Sequence, residues 1–463
     1  MKITLHGAAG HVTGSAYQVQ TSQANVLVDF GVFQGSREEE ELNKVPRQLT
    51  ASPLDAVILT HGHLDHTGRL PLLVKAGYRG PIYATAATIE LTGLILRDGA
   101  KIQAQDCERI NRKRERAGEP AIQPPYDMDD VDQALKQMRE AAYNTPIEIA
   151  RGIRVRLVDS GHMLGSVSIE MTVDDGGKKK VVVFSGDLGP HGLPILKDSV
   201  SFDFADMVFL ESTYGDRDHK SAAETQKEAF TAILAAIQRK GKILVPAFAI
   251  GRAQQLQYEM TKAFRDGTLP RFPVYIDSPM AVAAIAIYAR HLELLDEEAD
   301  RLRQDEKFLQ EVRAVHLCES ADDSKAINSR TGPLMVIAGA GMCNAGRILH
   351  HLKQNLWKPE TLVMIVGYQA AGTLGRQLVD GAQYVNIFGE KIMVAARVVT
   401  LGGYSAHAGQ TDLLNWLAPA AKSRPRVVLS HGEPRGQKPL ARLILERFGI
   451  QAKLPVLGET IEL

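Results

Sequence analysis

The stretch THGHLDHTG at residues 60–68 sets three histidines and an aspartate within six positions, directly after the apolar run AVIL at 56–59. A buried strand that ends in four such polar groups is not completed by packing alone, because each needs a partner to offset its burial. With 14 His and 54 acidic residues in 463, chance yields H-x-H-x-[DE]-H on the order of 10⁻³ times per chain. The helical apolar spacing of LPLLVKAG that follows puts the cluster on a strand-to-helix loop. In an extended turn His61 and His63 project to one side and Asp65 with His66 toward an adjacent point. One loop can then ligate two neighbouring ions. Imidazole and carboxylate donors suit zinc, with manganese the rival where oxygen ligands dominate.

A metal pair needs more than four ligands. Three further positions follow an apolar strand and precede a glycine-bearing turn: His162 in DSGHMLGS, Asp187 in VVVFSGDLG and His431 in VVLSHGEP. Two ions about 3.5 to 4 Å apart can share a water, make it a bridging hydroxide nucleophile, and stabilise both oxygens of a phosphodiester in line. A histidine suits the proton transfer to the departing alkoxide.

The rest of the chain reads as two regions. KITLH, AYQVQT and ANVLVDFG are short strands broken by glycine turns, and IRVRLVDSG, SIEMTV and KKKVVVFSGD form a second set. The last two are joined across Asp174 to Gly177 as a hairpin. Residues 86–144 turn helical and carry the charged piece ERINRKRERAGE at 108–119, which reads as a solvated helix face. After about 207 strand, turn and helix alternate four times, from KILVPAFAIGRAQQLQYEM to TLVMIVGYQAAGTLGRQLV. This is the pattern of a parallel sheet flanked by helices. Short strands resume near 397. The expected domains are therefore 1–207 and 397–463, with 208–396 inserted between them.

Three strand-to-helix junctions of the insertion carry a Gly-Arg pair: Gly251-Arg252, Gly346-Arg347 and Gly375-Arg376. Helix N-termini attract anions and glycine permits close backbone approach, so three such junctions on one sheet edge suit a chain of phosphates. GAGMCN lacks the third glycine of a dinucleotide fingerprint. Lysine plus arginine and aspartate plus glutamate both number 54, so a polyanion would be held by local patches rather than by net charge. Three scattered cysteines fit a reducing compartment. MKITLHGAAG reaches a glycine loop too early for a signal peptide, and no run of about 18 apolar residues occurs, so a cytoplasmic protein without a membrane span is expected.

Taken together, LVDFG, THGHLDHTG, SGHMLGS and FSGDLG resemble the metallo-β-lactamase superfamily, and LEST, GGYSAHA and LSHGEP resemble its β-CASP nucleases. That group includes the RNase J enzymes and the endonuclease subunit of the cleavage and polyadenylation specificity factor. The resemblance covers nearly the whole chain. It implies an α/β fold, an αββα sandwich with an inserted parallel-sheet β-CASP domain. It implies two zinc ions, one at His61, His63 and His162 and the other at Asp65, His66 and His431, with Asp187 bridging them and Asp29 in support. It nominates Asp65, Asp187, Glu211 and His407 as catalytic, with His407 the proton donor oriented by Glu211. It also places Ser278, Gly341, Met342, Arg347 and Arg376 against the nucleic-acid backbone, beside the Arg252 of the junction pattern.

The implied activity is zinc-dependent ribonuclease, endonucleolytic or 5′-exonucleolytic, on single-stranded RNA, with a homo-oligomer left open. A DNA-directed nuclease is the nearest alternative. A small-molecule hydrolase would have less use for roughly 190 inserted residues with arginines, and a noncatalytic scaffold would have lost ligands that are all present. Two positions depart from relatives: Phe30 where cysteine is common, and His11 where many carry an acidic residue.

Overall fold

The computed structural model describes residues 1–35, 37–370 and 372–463, and these form two compact units. The first comprises Met1–His191, Asp198–Asp218 and His407–Leu463, and the second Gly192–Lys197 and His219–Ala406.

Two sheets make up the first unit. One has seven strands in the order Thr460–Glu462, Lys2–Leu5, Tyr17–Gln20, Asn25–Val28, Ala56–Ile58, Ile82–Ala84 and Met138–Glu140. The other has six: Arg426–Ser430, Met207–Glu211, Lys178–Phe184, Val167–Asp175, Ile153–Asp159 and Ile147–Ala150. The central strands are apolar at consecutive positions because both faces are covered. Val26, Val28 and Ile58 of the first sheet share one core with Val182, Phe184, Met207, Phe209 and Val428 of the second. The Tyr17 ring lies 5.4 Å from both Phe184 and Phe209. The alternate residues face outward: Leu27, Val57 and Leu59 pack with helix residues Leu70, Leu73 and Leu96, and Val183, Val208, Leu210 and Leu429 with Leu413, Trp416, Leu417 and Leu440. Helix, sheet, sheet and helix therefore stack in four layers. Each of these buried Val, Leu or Phe side chains contributes about 1.5–3 kcal/mol.

The expected hairpin is present: Asp175 pairs with Lys178, and Gly176 and Gly177 turn the chain at φ +67° and +83°, the left-handed values that a two-residue connection demands. Strand direction fixes where the loops gather. Ile153–Asp159, Lys178–Phe184, Met207–Glu211 and Arg426–Ser430 all run the same way, so their C-terminal ends line one edge. Asn25–Val28 and Ala56–Ile58 are likewise parallel to each other.

The long helix Ala86–Arg116 buries residues only as far as Ala100. Most of the charged piece at 108–119 is its exposed end, where Arg114 turns back to the Pro120 carbonyl at 2.7 Å. No helix among the described residues is long and apolar enough to cross a membrane.

The second unit holds a six-stranded, all-parallel sheet: His316–Leu317, Val274–Ile276, Leu334–Ala338, Lys242–Pro246, Leu362–Ile365 and Arg397–Thr400. Ile243, Val245, Met335 and Met364 point to one face, and Leu244, Val336, Val363 and Ile365 to the other. The boundary expected at 207 falls at the start of a first-unit strand, because Met207–Glu211 pairs with Lys178–Phe184 and Arg426–Ser430. Arg397–Thr400 stays in the second sheet beside Leu362–Ile365. Within the first unit, the segments that lead out and back are hydrogen-bonded to one another. Gln410 N donates to the Arg217 carbonyl at 2.9 Å, and Thr411 N donates to Asp218 Oδ1 at 2.7 Å.

Candidate metal centre

The histidine turn leaves the strand Ala56–Ile58 and passes into a one-turn helix, Leu64–Thr67. Asp65 and His66 therefore sit on helical rather than extended backbone, about 100° apart around the axis. His162 follows Ile153–Asp159, Asp187 follows Lys178–Phe184, Glu211 ends Met207–Glu211, and His431 follows Arg426–Ser430. The shared edge of the parallel strands brings them together, and all belong to the first unit.

Asp187 is the hub. Its Oδ2 lies 3.5 Å from His61 Nε2, 3.6 Å from His162 Nε2 and 3.4 Å from His66 Nε2. Its Oδ1 lies 3.4 Å from His431 Nδ1. His63 Nδ1 is 3.1 Å from both His61 Nε2 and His162 Nε2. On the other side His66 Nε2 and His431 Nε2 are 3.2 Å apart, with Asp65 Oδ2 3.5 Å from His431 Nε2. Among the described residues three overlapping groupings able to hold an ion result: His61–His63–His162–Asp187, Asp65–His66–His431 and Asp187–His407–His431.

The donor set fits divalent cations. Nitrogen lone pairs and carboxylate oxygens converge in a buried space, Asp187 Oδ1 has no hydrogen-bond donor, and such crowding is unfavourable unless positive charge lies among the groups. Burial pushes the His61 pKa well below the usual range, so the ring is neutral and can ligate. Burial opposes ionisation of Asp187, but His431 and the other surrounding rings outweigh it and hold the carboxyl well below the usual range. Asp65 is likewise held low against its burial, by His431 and His66.

Asp29 lies beneath His66, with Oδ2 2.7 Å from Nδ1. The same carboxylate accepts from Ser15 Oγ at 3.1 Å, Thr60 N at 2.8 Å and Thr60 Oγ1 at 2.9 Å. A fully occupied acceptor of this kind keeps the proton on Nδ1 and turns Nε2 toward the centre. Asp29 and His431 both adopt left-handed backbone, at φ +57° and +46°, a conformation that non-glycine residues hold only where the surroundings enforce it. His431 Nδ1 is also 3.3 Å from Thr213 Oγ1.

Glu211 is fully buried and accepts from Leu188 N at 2.8 Å, with the same Oε1 3.3 Å from His407 Nδ1. His407 Nδ1 is 3.9 Å from Asp187 Oδ2. Burial disfavours the imidazolium, yet Glu211 and then Asp187 outweigh it and lift the His407 pKa to about 9. These carboxylates favour the protonated ring, which Glu211 holds through Nδ1.

In the second unit the three Gly-Arg junctions follow Leu334–Ala338, Lys242–Pro246 and Leu362–Ile365, which are adjacent in the sheet. Their arginines differ from expectation. Arg252 is buried, hydrogen-bonded to Gln255 and 5.8 Å from the Tyr404 ring centre, so its guanidinium serves the interior. Arg347 is held by Asp277 Oδ1 at 2.7 Å and by the carbonyls of Cys318 and Glu319. Arg376 is the more exposed, paired with Asp380 at 2.9 Å. Ser278 caps the helix Pro279–Tyr288. Gly341 lies against Phe248, with room for a Cβ only 3.0 Å from the ring. The Met342 carbonyl accepts from Gly375 N at 3.1 Å. His11 pairs through Nδ1 with Glu39 at 2.9 Å, and its carbonyl accepts from Gly432 N, next to His431.

Sequence reasoning gave no role to Ser15, Thr60 or Thr213, although Thr60 opens the histidine turn and Thr213 closes LEST. It also missed a buried cluster in the second unit, where Asp277 binds Ser324 Oγ at 2.6 Å and His351 Nε2 at 2.6 Å besides Arg347.

Three family descriptions match the chain: metallo-beta-lactamase superfamily over residues 9–247, Beta-Casp domain over 253–378, and Zn-dependent metallo-hydrolase RNA specificity domain over 391–455. The chain is 38% identical over 462 residues to "Ribonuclease TTHA0252" of Thermus thermophilus, covering 100% of both chains. It is 30% identical over 478 residues to "Transcription termination factor FttA" of Cenarchaeum symbiosum, covering 100% of this chain and 71% of that one. A crystal structure of a protein of unknown function from Enterococcus faecalis V583 shares the fold, with a TM-score of 0.57 and 14% identity over 100% of this chain and 99% of that one. The first description alone matches more than half of the sequence, and with the relative aligned end to end it gives the conclusion: the chain belongs to the metallo-β-lactamase superfamily, as a nuclease of its β-CASP family.

Proposed function

We propose that the chain is a ribonuclease that hydrolyses RNA phosphodiester bonds at a centre of two zinc ions. The observation that carries this reading is the meeting of Asp187 with four imidazole nitrogens at 3.4 to 3.6 Å, none of them a satisfied hydrogen-bond partner of its Oδ1. The end-to-end likeness to a protein named as a ribonuclease supports RNA as the substrate. His61, His63 and His162 would hold one ion, Asp65, His66 and His431 the other, and Asp187 would reach both. When bound, such ions supply Lewis-acid polarisation of the phosphodiester and acidify the attacking water, with manganese the alternative metal.

The remaining steps belong to the chain. Asp29 keeps the His66 proton on Nδ1 so that Nε2 faces the centre. Glu211 fixes His407 through Nδ1, leaving Nε2 to donate its proton to the departing alkoxide. In the second unit, Arg376 and the backbone near Ser278, Gly341 and Met342 would bind phosphates of the RNA, with Arg347 held there by Asp277. The inserted unit is read as the substrate-binding part of a cytoplasmic enzyme acting on single-stranded RNA.

The test is incubation of the purified chain with end-labelled single-stranded RNA and matched DNA, with zinc or manganese and with a chelator. Cleavage of RNA that the chelator abolishes is the expected result. Cleavage of DNA alone, or cleavage unaffected by the chelator, would overturn the reading. Internal fragments against mononucleotides separate endonucleolytic from exonucleolytic action.

A further inference from the structure

Arg69 lies three residues beyond His66 and is fully buried, yet it forms no ion pair among the described residues. Its donors go to carbonyls: Nε to Gly31, Nη2 to Gly14 at 3.2 Å and Nη1 to Lys44 at 3.4 Å. Its guanidinium sits between two rings, 4.3 Å from the centre of Phe30 and 4.8 Å from that of Phe33. Burial alone pushes its pKa down to about 9. A buried cation without a counter-charge opposes folding. Its place is therefore explained by what its donors hold in position.

The carbonyls it binds belong to the segments that seat one half of the metal donors. Beside Gly31, Phe30 N donates to the His66 carbonyl at 2.8 Å, and Gly31 N donates to the Ser15 carbonyl at 2.9 Å. Ser15 N in turn donates to the Asp65 carbonyl at 2.8 Å. Gly14 closes the loop that begins at His6, and within that loop the Ala8 carbonyl accepts from His431 N at 2.8 Å. Asp65, His66 and His431 thus all rest on backbone that Arg69 ties together. Of the other three donors only His63 touches that frame through the backbone, its carbonyl accepting from His66 N and Thr67 N at 3.0 Å, and among the described residues no backbone hydrogen bond joins the frame to His61 or His162.

We propose that Arg69 is a positioning residue for one of the two ions. It holds the frame of Asp65, His66 and His431, so its loss weakens the ion bound there and spares the ion at His61, His63 and His162. The inference rests on the two-ion reading above.

Competition between the full-length chain and a chromophoric chelator for zinc reads the affinities directly, without turnover. The wild type should show two bound ions. Arg69→Lys keeps the charge but loses the planar fork that spans several carbonyls. It should weaken one ion by about 10- to 100-fold, the range typical of outer-shell partners, and leave the other unchanged. Combined with His431→Ala it should add little, since both act on the same ion, whereas combined with His162→Ala it should weaken both. If Arg69→Lys fails to fold by circular dichroism, Phe33→Leu loosens the guanidinium more gently and should weaken the same ion by a smaller factor. A wild type that binds fewer than two ions would overturn the two-ion reading and this inference with it. A wild type with two ions beside variants that keep both affinities, or lose both equally, would overturn the inference alone.

Discussion

Asp187 in the first unit and Asp277 in the second are both buried at the C-terminal ends of strands, and each stands beside histidine. Asp277 meets Ser324, His351 and Arg347 at 2.6 to 2.7 Å, so both of its oxygens accept from donors at hydrogen-bond length. Asp187 meets His61, His66, His162 and His431 at 3.4 to 3.6 Å, and its Oδ1 has no donor at all. Composition alone would class the two together. Distance and satisfaction separate them: a carboxylate whose lone pairs are all occupied holds structure, and one that faces other acceptors calls for cations.

The largest expected effect tests the unsatisfied member. Asp187→Asn should lower RNA turnover by more than about 10³-fold, beyond the 10- to 100-fold usual for outer-shell partners, and should lower zinc content in elemental assay. Near-normal turnover would make Asp187 a structural residue like Asp277. His407→Ala should reduce kcat by about 10²- to 10⁴-fold with RNA binding and metal content retained, and Glu211→Gln should reduce it in the same direction. Full activity of His407→Ala would remove the proton-donor role.

Asp277→Ala should strand Arg347 and His351 and destabilise the second unit by about 3–5 kcal/mol in urea unfolding, with zinc content unchanged. Loss of metal in that variant would erase the contrast between the two aspartates. The smallest effect concerns pH. Burial opposes ionisation of Asp277, but His351, Ser324 and Arg347 outweigh it and hold its carboxyl below the usual range. Its contribution is therefore fully present above the unfolded-state value of about 3.9, and is lost as pH falls through the lower folded-state value. The melting temperature of the wild type should drop on acidification below about pH 4 more steeply than that of Asp277→Asn. Equal slopes would show that the cluster does not discriminate between charged and neutral carboxyl.

Much of the first unit was legible because its signals are local. Continuous apolar runs such as AVIL mark strands covered on both faces, and His61, His162, Asp187 and His431 announce themselves by following such runs. The three Gly-Arg junctions also landed on adjacent strands as their pattern implied. What stayed hidden depends on contacts between distant positions. Nothing near Arg252 in the chain announces that Tyr404 and Gln255 will enclose it. Asp277 and His351 lie 74 positions apart, and nothing beside Arg69 in the chain announces that the carbonyls of Gly14 and Gly31 will accept from its guanidinium. The one-turn helix at Leu64–Thr67 was missed because four residues are too few to show a period.

The hydrogen bonds that join Arg217 and Asp218 to Gln410 and Thr411 make the second unit a graft on its host, attached where the outgoing and returning chain already touch. Splicing residue 218 to 407 through a short linker would remove residues 219–406 and should leave both sheets, all seven donors and His407 on the host. Such a trimmed host should still capture ions, with Glu211 still beside His407. Cation capture and the hold on substrate proposed for the inserted unit are then separable inheritances, the second arriving with the transplanted segment.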